Sequence, residues 1–498
     1  MMSPRRVVLF CLVAVAAVGC GGGSSSGSGP ATTTPAPQSD APQDISPATP
    51  AAGARNTDWP LFGVRADRRN VHAAGANATR LRRIRINAPG TADSSPIYLH
   101  AVTVKGARRD VFIATTTYGR TFALDARNGR VLWTFTPPGI GGWQGTYRIT
   151  NASPAADPDR SFVYAASPDG RVHKLSVSDG REAGGAWPVS VTRDPTHEKL
   201  TSSFNISGAH VIVTTGGYIG DAPPYQGHVV LIGRASGHID GVFNTLCSNR
   251  HSIMTPSTCG ASDSAIWARG GAVVQPGTAN LLVSTGNAPW NGRTDWGDSL
   301  LVISPDAGRL LGHWTPTDQA QLSVSDTDLG STRPVLLGGD VVVQSGKDAR
   351  IHVLSMRRIL AAGARPVLGG DVQVLSTPGG QGMFSDPAVW HHGGGTTMFA
   401  TTAGGTAAYV VRGGRLHLSW QNGTGGTSPV LAGGRLWVQD LNGGLNVYRP
   451  GSGRGVAHLA TGPGHWQSPV LGGGRVLVAE GDANAHSTSG TLSLFVPR

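Results

Sequence analysis

The chain has little charge. Lys, Arg, Asp and Glu make up 14% of its 498 residues, while hydrophobic residues make up 39%. A segment held open by its own repulsion carries more charge and less apolar surface, so disorder throughout is excluded. Cysteine is scarce, at four, and no C-x-x-C-H occurs, which excludes covalently attached haem. The longest apolar run, Val7 to Val18, is shorter than a bilayer-spanning helix requires. No H-E-x-x-H and no Walker loop is present, and the glycines follow no G-X-Y period. What the chain does have is turn formers, 72 glycines and 33 prolines, with twelve tryptophans to bury. Many short strands joined by glycine turns fit that composition. The formal net charge of +11 is spread along the chain rather than clustered, which argues against nucleic acid and leaves weak attraction to anionic lipid or cell-wall polymer.

The N-terminus reads as an export signal: Arg5-Arg6, then the apolar run, then Gly19-Cys20. Ala17-Val18-Gly19-Cys20 resembles a bacterial lipobox, which implies diacylglyceryl modification of Cys20 and anchoring on the extracytoplasmic side of a membrane. Residues 21–57, rich in Gly and Ser and then in Pro, Thr and Ala, read as a flexible tether for a folded body over 58–498. In an exported chain, Cys247 and Cys259, twelve residues apart, read as a disulfide rather than a metal pair.

The body repeats one phrase with variations: a Ser-Pro-like lead, a β-branched run, a glycine turn, a second apolar strand, Asp-x-x-x-Gly, and a strand ending in tryptophan. Leads occur at Ser95-Pro96, Ser153-Pro154, Ser202-Ser203, Ser264-Ala265, Thr332-Arg333-Pro334, Ser385-Asp386-Pro387, Ser428-Pro429 and Ser468-Pro469. Eight copies over residues 58–498 give about 55 residues each, in the range of propeller blades. The predicted fold is all-β, an eight-bladed propeller of four-stranded antiparallel blades. Residues 58 to 86, standing before the first lead, are predicted to supply the outer strand of the last blade and close the ring. No second copy is called for, so the body reads as a monomer.

Ala123-x-Asp125-x-x-Asn128-Gly129-Arg130-x-x-Trp133 resembles the tryptophan-docking motif of the pyrroloquinoline quinone (PQQ) repeat propellers, with degraded forms at Gly180…Trp187, Gly237…Phe243 and Gly308…Trp314. The resemblance implies the quinoprotein alcohol dehydrogenase-like fold, with each tryptophan packed between neighbouring blades. It also implies that the links from strand two to strand three, and from strand four to the next blade, share one face around the central channel. Rim candidates on those links are Trp143, Gln144, Trp290, Asn291, Asp298, Asn422, Trp466 and Gln467, whose rings beside amides suit a planar or sugar-like ligand. Thr285-Gly286-Asn287-Ala288-Pro289-Trp290-Asn291, followed by Gly297-Asp298, resembles the metal-binding segment of PQQ-dependent alcohol dehydrogenases. That likeness implies PQQ and Ca2+ as cofactors, Asn287 as a Ca2+ ligand with Asp221 the nearby carboxylate, and Asp326 or Asp328 as the catalytic base.

Two departures weigh against that chemistry. The glutamate ligand that should follow Gly216-Gly217 is replaced by Tyr218-Ile219-Gly220, and the vicinal cysteine pair that caps the quinone is absent. The favoured reading is therefore a lipid-anchored binding or scaffolding module of the cell envelope, similar in layout to the PQQ-repeat lipoprotein of the outer-membrane barrel-assembly machinery. Its partner would be an envelope protein or cell-wall polymer. The alternative is a PQQ- and Ca2+-dependent dehydrogenase acting on an alcohol or sugar.

Overall fold

The computed structural model describes residues 57–498. The proposed signal, Cys20 and nearly all of the tether lie outside the described residues. From Ile97 the chain builds one four-stranded antiparallel sheet after another. Blade 1 is Ile97–Val104, Ala107–Thr115, Thr121–Asp125 and Val131–Phe135. Blade 4 is Val273–Val274, Leu281–Ser284, Leu300–Ile303 and Leu310–Trp314, and blade 5 is Val335–Gly338, Val341–Ser345, Arg350–Ser355 and Gln373–Ser376. Blade 8 takes three strands from the C-terminus and its fourth from Leu81–Ala88, which pairs antiparallel with Gly490–Pro497 from Leu81↔Pro497 to Ala88↔Gly490. The ring is thus closed by the segment that precedes the first lead, as its position predicts.

Flat, mostly apolar sheets must bury both faces, and the blades do so against each other. Trp133, Val111 and Ile113 of blade 1 pack with Val163 and Leu175 of blade 2 (Ala155–Ala156, Phe162–Ser167, Arg171–Ser176 and Val189–Ser190), and Trp314 and Leu300 of blade 4 with Val342 and Leu354 of blade 5. Blade 7 (Val430–Ala432, Arg435–Gln439, Leu445–Tyr448 and Gly455–Leu459), blade 8 and blade 1 share one cluster that includes Trp437, Leu494 and Phe112. The docking tryptophans lie at these seams. Trp133 Nε1 donates to Val177 O of the next blade at 3.0 Å, and Trp420 Nε1 to Pro450 O at 2.7 Å.

The recurrent leads also have a physical role. Their side chains hydrogen-bond the backbone of the adjoining blade around the channel: Ser153 Oγ accepts from Ser95 N–H, Ser95 Oγ from Ser468 N–H, and Ser428 Oγ from Asp386 N–H, all at 2.8–3.0 Å. Asp386 in turn accepts from the N–H of both Arg333 and Gly270. Seven leads end within two residues of a first strand. The exception is blade 4, where residues 266–272, Trp267 and Arg269 among them, intervene between Ser264-Ala265 and Val273, and the disulfide loop precedes the lead on the same long link.

A second use of the opening segment has no counterpart in the repeat. Residues 58–72 run past the innermost strands of the ring. Pro60 O accepts from Ala156 N–H, Ala66 O from Val274 N–H, Arg69 O from Val389 N–H and Asn70 O from Leu431 N–H. Val71–His72 then pairs parallel with Val430–Ala432. Arg68, fully buried, donates to the carbonyls of Phe62, Ser203 and Phe204 at 2.6–2.9 Å. Its own carbonyl accepts from the buried Arg333 guanidinium. The strap therefore crosses the end of the channel where strands one and two turn, leaving the opposite face for a site.

Candidate functional site

On that opposite face lies a cavity of about 450 Å3. Its walls come from four-to-one links (Asn151, Lys199, Thr201, Trp267, Arg269, Asp326, Asp328, Phe384, Trp466) and two-to-three turns (Tyr218, Asp221, Tyr225, Lys347, Asn484). One side is aromatic. Phe384 and Trp466 stack at 4.7 Å with planes 9° apart, and Trp267 tilts against both at 6.1 and 6.3 Å. Arg269 lies over Trp466 at 5.6 Å, and Lys347 over Trp267 at the same distance.

Three polar turns meet at the other side. Asp328 Oδ1 accepts from Asn287 N–H at 2.8 Å, and Asp326 Oδ1 accepts from Asn287 Nδ2 at 3.0 Å. Lys347 Nζ sits between the two carboxylates, 2.7 Å from Asp326 Oδ1 and 2.5 Å from Asp328 Oδ2. These turns approach so closely that glycine is required. A Cβ on Gly286 would lie 2.3 Å from Asp328 Oδ1, and one on Gly346 would lie 2.5 Å from Asp328 O. Against the cost of burial, Asp328 and Asp326 hold the Lys347 ammonium above its usual range.

The remaining charges are unequal in their partners. Asp93 accepts from Arg269 at 2.8 Å and from His465 Nδ1 at 2.7 Å. Despite complete burial, the Arg269 guanidinium and the contact with His465 keep its carboxyl below the ordinary value. Among the described residues, Lys199, 9% exposed, has no carboxylate partner. Burial, reinforced by Arg269, lowers its ammonium to about 8. Asp221 is raised by burial and by Asp328 and Asp326, although Tyr225 OH donates to it at 2.9 Å.

The sequence candidates divide sharply. Asn287, Asp326 and Asp328 come together as one cluster, and Asp221 and Trp466 line the same cavity. Gln467 is buried beneath the wall, its Oε1 accepting from His465 N–H and its Nε2 donating to Ala479 O, so it fixes Trp466 rather than facing a ligand. Asp298 is fully buried behind Asp328, accepting from Leu329 N–H at 3.1 Å, so burial removes it from the rim. Trp143 is buried against Tyr118, Ile149 and Tyr218, and neither it nor Gln144 lines the cavity. Trp290 and Asn291 form a self-contained turn: the Trp290 backbone makes an antiparallel bridge to Trp296, and Asn291 Oδ1 accepts from the N–H of Arg293, Thr294 and Asp295. Asn422 ends a strand and caps Thr424. Cys247 and Cys259 are bonded, and they pack with Leu246, Met254 and Ala288 away from the cavity.

Sequence reasoning overlooked Lys199, Trp267, Arg269, Lys347 and Phe384. The signal was available: Phe384 immediately precedes a lead, as Trp466 nearly does, and Ser345-Gly346-Lys347 occupies in blade 5 the place of Thr285-Gly286-Asn287 in blade 4.

No family model matches the chain. Over 285 residues it is 22% identical to the dehydrogenase subunit of alcohol dehydrogenase (quinone) from Gluconobacter oxydans (strain 621H), a match covering 50% of this chain and 36% of that protein. The corresponding subunit from Komagataeibacter europaeus is 23% identical over 284 residues, with 50% and 37% covered. The matched stretch therefore spans little more than a third of these relatives. Among solved structures, quinohemoprotein alcohol dehydrogenase ADHIIG from Pseudomonas putida HK5 superposes with a TM-score of 0.65 at 14% identity, covering 89% of this chain and 81% of that one. A europium-containing methanol dehydrogenase gives 0.64 at 14% identity, covering 89% and 99%. BamB from Moraxella catarrhalis gives 0.50 at 12%, covering 83% and 99%. Repeat, ring closure and neighbours agree on the fold: the chain is an eight-bladed β-propeller of four-stranded blades, similar in fold to the quinoprotein alcohol dehydrogenases.

Proposed function

We propose that the cavity binds a planar, multiply anionic quinone, PQQ, and that the protein is an oxidoreductase acting on an alcohol or sugar. The observation that carries this reading is the composition of one cavity: Trp267, Trp466 and Phe384 on one side, the cations Lys199, Arg269 and Lys347 around them, and a carboxylate pair beside Lys347. A buried ammonium with no carboxylate of its own among the described residues, such as Lys199, calls for an anionic partner, since a charge out of water is costly until it is paired. Flat aromatic faces suit a fused-ring ligand. The chain's residues thus fit the quinone. They do not fit Ca2+, which takes six to eight oxygens, because the space between the two carboxylates already holds an ammonium.

When bound, the quinone would supply a two-electron acceptor for hydride from an alcohol carbon. The protein's own part is proton transfer and positioning. Asp326, whose side chain is 69% exposed, stands where an incoming hydroxyl can reach it, and its carboxylate accepts the hydroxyl proton. Asp328, 11% exposed, holds Lys347 and the Asn287 turn in register. Lys199 and Arg269 orient the anion, and Tyr218, Ile219 and Tyr225 border the space from which water must be displaced.

Titration of the purified body with PQQ, followed by quenching of tryptophan fluorescence and by dye-linked alcohol oxidation, tests the reading. We expect saturable quenching, and a loss of kcat of roughly 100-fold or more in Asp326→Asn, the usual scale for a lost general base. Absence of saturable binding and of oxidation would leave the second reading, a binding or scaffolding module at the envelope. Its support is the absence of the vicinal cysteine cap and of the expected glutamate ligand. In either reading we propose export and lipid anchoring through Cys20. Cys20→Ser should release the protein from the membrane fraction, and unchanged retention would refute the anchor.

A further inference from the structure

We infer that this chain binds its planar anionic ligand without a divalent cation, Lys347 supplying the positive charge between Asp326 and Asp328. The inference rests on the ligand reading above and adds a statement about metal dependence that the fold's relatives would not suggest.

Three observations carry it. The first is occupancy. Lys347 Nζ lies within ion-pair distance of both carboxylates at once, and its backbone N–H donates to Asp328 O at 2.8 Å. With Gly346 packed on Asp328 O, backbone and side chain hold the ammonium in the gap between the acids. The second is the donor inventory. Asp328 Oδ1 is committed to Asn287 N–H, and Asp221 accepts from Tyr225 OH. Asn287 Oδ1 and, behind Asp328, Asp298 Oδ2 are buried without a partner. Two such oxygens are far from the six to eight that Ca2+ requires. Among the described residues, three His, Cys, Asp or Glu ligand atoms converge at Cys247, Cys259 and Asp295 and at Asp93, His465 and Asp482, and neither group belongs to this cluster. The third is charge. A dication here would lie beside an ammonium in a cavity that also contains Lys199 and Arg269, and like charges at such range repel strongly away from bulk water. The anion therefore meets a built-in cation, and the Asp326–Lys347 pair remains intact with ligand present.

The test uses the full mature chain, stripped with EDTA and dialysed. PQQ is titrated by tryptophan quenching in EDTA and in millimolar Ca2+, for wild type, Lys347→Met and Lys347→Arg. Separately, Ca2+ alone is titrated calorimetrically. We expect wild-type Kd to agree within about twofold in the two media, Lys347→Met to weaken binding roughly 10- to 100-fold, as for loss of a charge-assisted contact, and Lys347→Arg to retain most of it. Ca2+ alone should give no saturable heat with wild type. Binding that appears only with Ca2+, or an affinity unchanged in Lys347→Met, overturns the inference. No PQQ binding in any medium defeats the ligand reading instead. Calorimetry still decides the metal question then: a saturable Ca2+ site abolished by Asp328→Asn refutes the inference, and its absence upholds the exclusion of the metal.

Discussion

Asp298 sits at the end of the blade 4 turn with φ 46°, fully buried, its Oδ1 accepting the Leu329 N–H. Burial, with a further contribution from Asp328, raises its carboxyl from 3.8 to about 8. The native state therefore keeps a proton that the unfolded chain has released over the whole interval between those values. Stability from this group is complete below about pH 4 and is lost as pH rises to about 8, because there the unfolded state binds fewer protons than the folded one. The slope is about 1.4 kcal/mol per pH unit, and the ceiling across the interval is about 6 kcal/mol, which relaxation of the surroundings should reduce to about 2–4 kcal/mol. Asp298→Asn removes the titration while retaining an oxygen for Leu329 and a residue that tolerates positive φ. The unpaired amide hydrogens add an offset that does not vary with pH, so the slope is the diagnostic. Unfolding free energies of wild type and variant should be measured by denaturant titration from pH 4.5 to 8.5. We expect the variant's relative stability to climb steadily across that range and level off near pH 8. A difference that is flat with pH, or that falls as pH rises, would refute the reasoning.

Other perturbations separate the scaffold from the site. Gly346→Ala forces a Cβ to within 2.7 Å of Leu329 Cα as well as against Asp328 O. It should cost about 1–3 kcal/mol by overpacking and weaken PQQ quenching, and unchanged ligand affinity would show that the backbone contact does not set Lys347. Arg68→Met strips the carbonyls of Phe62, Ser203 and Phe204 of their donor. At about 1–3 kcal/mol for each buried group left unpaired, it should lower the unfolding midpoint substantially and open residues 58–72 to protease, and an unchanged cleavage rate would contradict the strap's role. Replacing Cys247 and Cys259 together by Ser should cost about 3 kcal/mol for a loop of this length. Because the bond lies off the cavity, ligand affinity should not change, and a fall in affinity would contradict that separation.

The ring could be read from the sequence because its information is local and repeated. Each blade needs a lead, two turns and a docking aromatic, and a chain that supplies eight sets supplies the fold. Leu81–Ala88 was legible for the same reason: a strand was missing from the last copy and unassigned chain stood before the first. The site has the opposite character. Lys347 gains its meaning from Asp326 and Asp328 on a different link, and nothing in Ser345-Gly346-Lys347-Asp348 announces an ion pair. Trp290, Asn291 and Asp298 belong to a segment that resembles a metal-binding stretch, yet of its polar side chains Asn287 is the one that bonds to Asp326, because the next ten residues fold into a turn that caps itself. The strap was invisible because Arg68 and Asn70 serve carbonyls and amides of other blades and recur nowhere. Repetition does contain the missing clue in another form. Asn287 and Lys347 each follow strand two and a glycine in consecutive blades, so the repeat itself brings both side chains to one point between their blades. In a propeller the residues to compare are therefore the unlike ones at like positions. Symmetry fixes where a rim side chain stands, and the departure from symmetry, an amide in one blade and an ammonium in the next, is what gives the face its chemistry.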